Sequence, residues 1–315
     1  MTAIAYILTG WNLESWTNAM RQLEPSMDIR SYPDGMGRLE EIGYALAWRP
    51  PPHVLEGIKN LKAIFSLGAG VDAILADPTV PDVPIVRIVD ADMTMRMSEF
   101  VVMHVLMHHR QQKRIDENQR AKLWDPFATH AASALKVGIM GFGVLGQDAG
   151  VKLKAMGFEV AGWSQSKKHV AGIETFAGRA ELDAFLARSD ILVVLLPHTA
   201  ETTHIINRDL IAKLSRNGPF GAPILINAGR GKLQKERDLI HCLETGQLHA
   251  ASLDVFEEEP LAQDSALWTH PRVYVSSHVA ADSDPLTISR NVLRQIRRHE
   301  AGGALENIVD RRRGY

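Results

Sequence analysis

The stretch from Leu135 to Gly146, LKVGIMGFGVLG, constrains this chain more than any other. Val137, Ile139 and Met140 read as a short apolar strand. Gly141, Gly143 and Gly146 follow at G-x-G-x-x-G spacing and lead into a helix-like segment. In that setting each glycine has a physical use. Gly141 permits a tight turn, Gly143 lets a pyrophosphate approach the backbone, and Gly146 lets the helix pack closely on the strand. The helix N-terminus beyond would present free N–H groups to phosphate oxygens. Three glycines can equally close a plain strand-to-helix turn, so the motif alone leaves both readings open.

About 135 residues precede this turn. Either a separate domain comes first, or a dinucleotide domain is inserted into another one. A length of 315 residues suits two domains. In the first hundred residues apolar runs at Ala3–Leu8, Tyr44–Trp48, Leu61–Leu67 and Ile85–Val89 alternate with helix-compatible pieces, among them Leu13–Leu23 and Val54–Ile58. That alternation predicts a flavodoxin-like parallel sheet with helices on both faces. Two strand ends stand out in it. Trp48, followed by Arg49 and three prolines, would wall a pocket or close a core. Gly68-Ala69-Gly70-Val71-Asp72 would form an anion-holding nest or a simple turn into a helix.

The spacing of Met97, Val101, Val105 and His108 predicts one long helix over 95–122. His104 and His108 fall on one face, but without the H-E-x-x-H pattern they read as polar edge positions, and no metal site is expected. A loop is expected at 125–133. Past the glycine turn, strands at Glu159–Trp163, Ile191–Leu196, Ile224–Asn227, Ala250–Val255 and Val273–Ser276 complete a six-stranded Rossmann sheet, and a helix closes the chain at Leu286–His299. The fold class is therefore α/β with two domains.

A net charge of −2, with 23% charged residues, gives no field that would draw nucleic acid or an anionic membrane. No apolar run of ~20 residues and no signal pattern occurs. The single cysteine, Cys242, reads as a small buried residue in a reducing compartment, so a cytoplasmic location is expected.

The second Rossmann strand ordinarily ends in Asp or Glu about 20 residues past the glycines, on the ribose hydroxyls of NAD. Here it ends Gly162-Trp163-Ser164-Gln165-Ser166-Lys167-Lys168. Hydroxyls and ammonium groups suit a 2′-phosphate dianion, so NADPH is expected to be preferred over NADH; an ordinary polar turn is the alternative. Three more polar residues follow apolar strands: Arg230 in Asn227-Ala228-Gly229-Arg230-Gly231, Glu259 before Pro260, and His278. Singly they read as a surface cation, part of an acidic run and a satisfied histidine. Together they supply what reduction of an oxo acid needs: a planar fork for a carboxylate, a proton donor, and a carboxylate that orients the donor ring and favours its charged form.

With these residues, Gly68–Asp72, the glycine turn, Ser189-Asp190-Ile191-Leu192, Pro197, Thr202, Asn227–Gly231, Leu253–Pro260 and His278, the chain resembles the D-isomer-specific 2-hydroxyacid dehydrogenase family. Trp48, Trp163-Ser164, Phe176–Arg179, Trp268 and the ending Arg313-Gly314-Tyr315 place it nearest the branch reducing glyoxylate and hydroxypyruvate. The resemblance implies a substrate-side domain over 1–97 and 286–315, a cofactor domain over 98–285, and a homodimer. It gives Arg230 the substrate, Glu259 the orienting of His278, and His278 the general acid. It assigns the substrate carboxylate to the amides of Ala69 and Gly70, with Trp48 lining the pocket. Gly141, Gly143, Val144, Leu145 and Gly146 would hold the pyrophosphate, and Ser164, Ser166 and Lys167 the 2′-phosphate. Pro197, His198 and Thr202 would border the adenosine and ribose, and Ala228 and Asp254 the nicotinamide half. Departures are Gln165 in place of a basic residue, Gly229 in place of Ala or Ser, which would loosen Arg230, and Arg49 as added positive charge. Another dehydrogenase of this family, or a dinucleotide-sensing corepressor, remains the alternative.

Overall fold

The apolar runs of the N-terminal third pair as parallel strands in a computed structural model that describes residues 2–315. The chain divides into two units, one ending at Met93 and resuming over Ser283–Tyr315, the other spanning Thr94–Asp282. In the first, β1 (Ala3–Leu8), β2 (Ile29–Ser31), β3 (Ile42–Trp48), β4 (Ala63–Ser66) and β5 (Ile85–Arg87) lie in the order β2-β1-β3-β4-β5. That is the 2-1-3-4-5 order of flavodoxin-like sheets. β1, β3 and β4 are almost wholly buried, because helices cover both faces and alternation with polar residues is lost. Helix α1 (Leu13–Leu23) starts at Asn12, whose side chain accepts the N–H of Ser15 at 3.2 Å. The short α2 (Asp72–Leu75) follows the Gly68–Gly70 turn. Two details depart from the sequence reading. Val54–Ile58 forms turns rather than a helix, and β2, a partly exposed edge strand, carries no apolar run to announce it.

Helix α3 (Ala91–His109) runs from the last residues of the first unit into the second. At its start Asp90 Oδ1 accepts the N–H groups of Asp92 and Met93. The single helix expected over 95–122 is two: Gln111 takes a left-handed φ of 53°, and α4 (Gln112–Arg120) restarts with no buried residue. Its polar sequence offers no core-facing stripe to continue the first helix's packing. There follow β6 (Lys136–Met140), α5 (Val144–Ala155), β7 (Glu159–Ser164), β8 (Glu174–Ala177), α6 (Leu182–Ala187), β9 (Ile191–Val194), α7 (Arg208–Ala212), β10 (Ile224–Asn227), α8 (Glu236–Glu244), β11 (Ala250–Leu253) and β12 (Val273–Val275). The sheet runs β8-β7-β6-β9-β10-β11-β12, all parallel. This is the Rossmann order with a seventh strand where six were expected. The strand absent from the sequence reading is β8, an edge strand with no fully buried residue. Alternate side chains feed two cores: Leu192, Leu225 and Leu253 pack on one face, and Val193, Ile224 and Ile226 on the other. The chain then returns to the first unit as α9 (Pro285–Glu300), capped by Asp284 on the N–H of Thr287 at 2.7 Å. No helix among the described residues is long and apolar enough to cross a membrane.

His104 and His108 are not edge positions. Both are buried, and both face the Ser252 hydroxyl of β11, at 2.8 Å from His104 Nδ1 and 2.8 Å from His108 Nε2. A hydroxyl has one proton, so it donates to one ring and accepts from the other. Burial pushes the pKa of His104 down to about 4, partly offset by Asp254, and that of His108 down to about 3. Both rings are held neutral in the fold. Below the ordinary histidine value the unfolded chain takes up protons that the fold refuses, so stability falls as pH drops from about 6.5 through these folded values. The loss is on the order of 3 kcal/mol from His104 alone by about pH 4. His108→Phe is expected to flatten the fall of Tm between about pH 7 and pH 4. A slope equal to that of the unsubstituted protein would contradict this.

Candidate active site

The glycine turn joins β6 to α5 beside β9, where the strand order of the second sheet reverses and open α/β sheets bind ligands. Gly141 has a φ of +107°, and a Cβ there would lie 2.6 Å from the Leu195 carbonyl carbon. A Cβ on Gly146 would lie 2.4 Å from the Gly141 oxygen, so the helix rides directly on the turn. At Gly143 a Cβ would meet nothing within 4 Å, which leaves that backbone open to a ligand. Gly143 caps α5 with no side chain, so the first-turn N–H groups at Val144, Leu145 and Gly146 have no capping acceptor. The N–H groups of Gly141 and Phe142 both bond the Trp163 carbonyl at 3.0 Å, tying the turn to the end of β7.

Beyond Trp163 the three residues assigned to a 2′-phosphate are unequally placed. Ser164 donates its hydroxyl to the Ser166 carbonyl at 2.8 Å, and Ser166 is exposed. Lys167 bonds the Thr175 carbonyl and pairs with Glu181 at 3.3 Å. Glu181 is a member of this cluster that the sequence reading missed. It lies far along the chain past β8, and no local spacing marks it. Its carboxyl is held below the usual range by the Ala177 N–H and then by Lys167. Across the switch point, Thr202 accepts the Thr199 N–H and donates to the Pro197 carbonyl, both at 2.8 Å, which shapes the 197–202 loop. His198 Nε2 lies 2.9 Å from Thr203 Oγ1. Ala228 is buried and donates its N–H to Val194.

Arg230 follows β10 on a loop set by buried amides. Asn227 accepts the Gly229 N–H at 3.1 Å and donates to the Arg230 carbonyl at 3.2 Å and to Gln234 at 2.9 Å, and Gln234 reaches the Val255 carbonyl. At Gly229 a Cβ would press within 2.8 Å of the Leu196 oxygen, so glycine is the residue that fits there without a shift. Gly231 is tighter still, with a Cβ only 1.7 Å from the Phe256 oxygen. Arg230 Nη1 donates to the Gly229 carbonyl at 2.8 Å.

His278 Nδ1 faces both oxygens of Glu259, at 2.9 and 3.1 Å, and their side chains are 29% and 20% exposed. Among the described residues Nε2 makes no hydrogen bond, so the ring is oriented at one nitrogen and open at the other. His278 has a left-handed φ of 57°. Asp254, 1% exposed, holds that turn: its carbonyl accepts the His278 N–H at 2.8 Å, and its carboxylate accepts from Ser276 Oγ, Val279 N and Ala280 N at 2.6, 3.0 and 3.0 Å. A cost of order 1 kcal/mol for such a backbone is borne by these bonds. What the structure shows of Asp254 is therefore a brace for His278.

In the first unit, Trp48 ends β3 and stacks on Trp11 at 4.5 Å between centroids, and Trp11 stacks on Trp16 at 5.2 Å. Trp48 Cζ3 lies 2.2 Å from where a Gly68 Cβ would be, so only glycine fits beside the ring. Ser66 Oγ faces the carbonyls of Gly68 and Gly70 at 3.1 and 2.8 Å. Among the described residues the N–H groups of Ala69 and Gly70 make no hydrogen bond.

Residues 68–280 match the family model of the D-isomer specific 2-hydroxyacid dehydrogenase NAD binding domain. The chain belongs to the D-isomer specific 2-hydroxyacid dehydrogenase family. It is thus an NAD(P)-dependent oxidoreductase. It is 41% identical to a glyoxylate/hydroxypyruvate reductase A of Salmonella paratyphi B, over 97% of both chains. A crystal structure of an NADPH-dependent glyoxylate/hydroxypyruvate reductase from Sinorhizobium meliloti, in complex with NADP and sulfate, matches with a TM-score of 0.95 and 46% identity over 100% of both chains. A probable 2-hydroxyacid dehydrogenase from Rhizobium etli, in complex with NADP, HEPES and L(+)-tartaric acid, matches with a TM-score of 0.94 and 44% identity over 100% of both chains. For a dehydrogenase of this family, the lone Cys242 is no nucleophile: it is buried, and burial raises its thiol pKa.

Proposed function

We propose that this dehydrogenase reduces small 2-oxo acids, glyoxylate and hydroxypyruvate, with NADPH. The observation that carries the reading is the His278–Glu259 pair, oriented at Nδ1 and open at Nε2. The names of its relatives supply the substrates and the cofactor. Glu259 fixes the ring and its tautomer, and protonated His278 delivers the Nε2 proton to the carbonyl oxygen as C2 is reduced. Arg230 offers its fork to the substrate carboxylate and polarises the adjacent carbonyl. On the unit built on β1–β5, the N–H groups of Ala69 and Gly70 offer donors for a substrate carboxylate, and Trp48 lines that turn. NADPH supplies the hydride when bound. The open backbone at Gly143 and the uncapped start of α5 fit its pyrophosphate. Gly141 and Gly146 shape that cradle, while Ser164, Ser166 and Lys167 take the 2′-phosphate. Pro197, His198 and Thr202 border the ribose side, and Ala228 and Asp254 the nicotinamide side. The unit built on β1–β5 acts as the substrate-side domain and the one built on β6–β12 as the cofactor domain. The test is the product: hydroxypyruvate and NADPH should yield D-glycerate, and L-glycerate or unreacted hydroxypyruvate would contradict the reading.

Cofactor choice rests on Lys167 between a 2′-phosphate and Glu181. An ammonium–anion contact near the surface is worth about 1 kcal/mol, so Lys167→Ala should lower the NADPH-to-NADH ratio of kcat/KM roughly fivefold. Glu181→Gln removes the competing carboxylate and should raise the ratio. Unchanged ratios in both variants would contradict the assignment.

We also place the enzyme in the cytoplasm, in keeping with its lone reduced thiol, and read it as a homodimer. Trp124 is 95% exposed and Leu123 57% exposed, just past α4, an apolar surface of the kind that partners cover. Trp124→Glu should shift the mass in sedimentation from dimer to monomer, and an unchanged dimer would argue against this face.

A further inference from the structure

Arg49 occupies a position the proposed reaction does not use. It follows the last residue of β3 with a φ of 45°, a left-handed backbone that few non-glycine residues adopt. It also precedes Pro50, and a proline pushes its predecessor toward extended conformations. A charged side chain held in so costly a conformation at a strand end points to function. Its guanidinium carbon lies 5.7 Å from the centroid of the Trp48 ring. That ring is itself fixed, stacked on Trp11 and seated in the space beside Gly68. Strands β3 and β4 are parallel neighbours in register, with Ala47 opposite Ser66, so the residues just past each strand adjoin. Guanidinium, indole and the Ala69–Gly70 amides therefore cluster at one end of one sheet.

We propose that Arg49 reads the group beyond C2 of the substrate, and that it lets the site accept 2-oxo dicarboxylic acids. This rests on the reading above, in which the Ala69 and Gly70 amides take the first carboxylate. Glyoxylate carries nothing past its carbonyl for Arg49 to meet. Hydroxypyruvate offers one hydroxyl oxygen. A four-carbon 2-oxo dicarboxylate offers a second carboxylate that the planar fork binds with two parallel N–H···O bonds. The Trp48 face holds the fork by a cation–π contact, so little side-chain freedom is lost when the second anion arrives.

The experiment compares kcat/KM for oxaloacetate with that for 2-oxobutyrate, an acid of the same length with a methyl group in place of the distal carboxylate. Glyoxylate serves as the internal control. The unsubstituted enzyme should prefer oxaloacetate, and Arg49→Asn should lower the oxaloacetate-to-2-oxobutyrate ratio by roughly tenfold or more, the usual worth of a charged hydrogen-bonded contact. Asparagine tolerates a left-handed backbone, so the variant keeps the turn while losing the charge. A preference for 2-oxobutyrate, or a ratio unchanged by Arg49→Asn, would overturn the inference while turnover of glyoxylate left the reductase reading standing. Failure to reduce any of the three acids would instead overturn both.

Discussion

His278→Asn is expected to lower kcat for hydroxypyruvate by about 10²–10⁴-fold, the usual contribution of a positioned proton donor, while NADPH binding changes little. Asparagine is the informative replacement because His278 sits at a φ of 57°, where alanine would add backbone strain to the loss of the ring. An amide can hydrogen-bond the carbonyl oxygen but cannot release a proton near neutral pH. The comparison therefore separates proton delivery from mere contact. Glu259→Gln should give a smaller loss, since the amide oxygen still accepts from Nδ1 but the charge opposite the ring is gone. Both variants should retain cofactor affinity by fluorescence titration, because the cradle at Gly141–Gly146 is built on other strands. Turnover within a few-fold of the unsubstituted enzyme would remove His278 from the proposed role.

Arg230→Ala should lower kcat/KM by about 10²–10³-fold, the scale seen when one donor to a developing oxyanion is removed. Arg230→Lys is the sharper test. It keeps the charge but not the fork, so a bidentate carboxylate contact predicts only partial recovery, whereas a simple field effect predicts nearly full recovery. The loop should survive either change, because Asn227, Gln234 and the Val255 carbonyl hold its backbone without the arginine side chain. Unimpaired steady-state kinetics in Arg230→Ala would contradict the substrate assignment.

Much of this architecture is legible in the sequence because it rests on local rules. Buried parallel strands leave apolar runs, so β1, β3, β6 and β10 can be read directly, and the helix-compatible piece Leu13–Leu23 coincides with α1. The glycine turn is legible because steric limits admit little else at Gly141 and Gly146. Other features are hidden for physical reasons. Edge strands β2 and β8 bury no full face and leave no apolar run. The break between α3 and α4 depends on one residue, Gln111, changing the sign of φ, which residue spacing does not register. The polar clusters join distant residues: Ser252 with His104 and His108, Glu181 with Lys167, and Asp254 with the His278 turn. Residue types at strand ends suggest Arg230, Glu259 and His278, but only the fold shows that Glu259 meets Nδ1 and leaves Nε2 open.

The most direct test is the oxidation of NADPH by the purified, unsubstituted protein, followed spectrophotometrically with glyoxylate or hydroxypyruvate present and with neither. Turnover should depend on the 2-oxo acid and be faster with NADPH than with NADH. Binding of NADPH without any acid-dependent oxidation would contradict this and leave a protein that senses the dinucleotide rather than uses it.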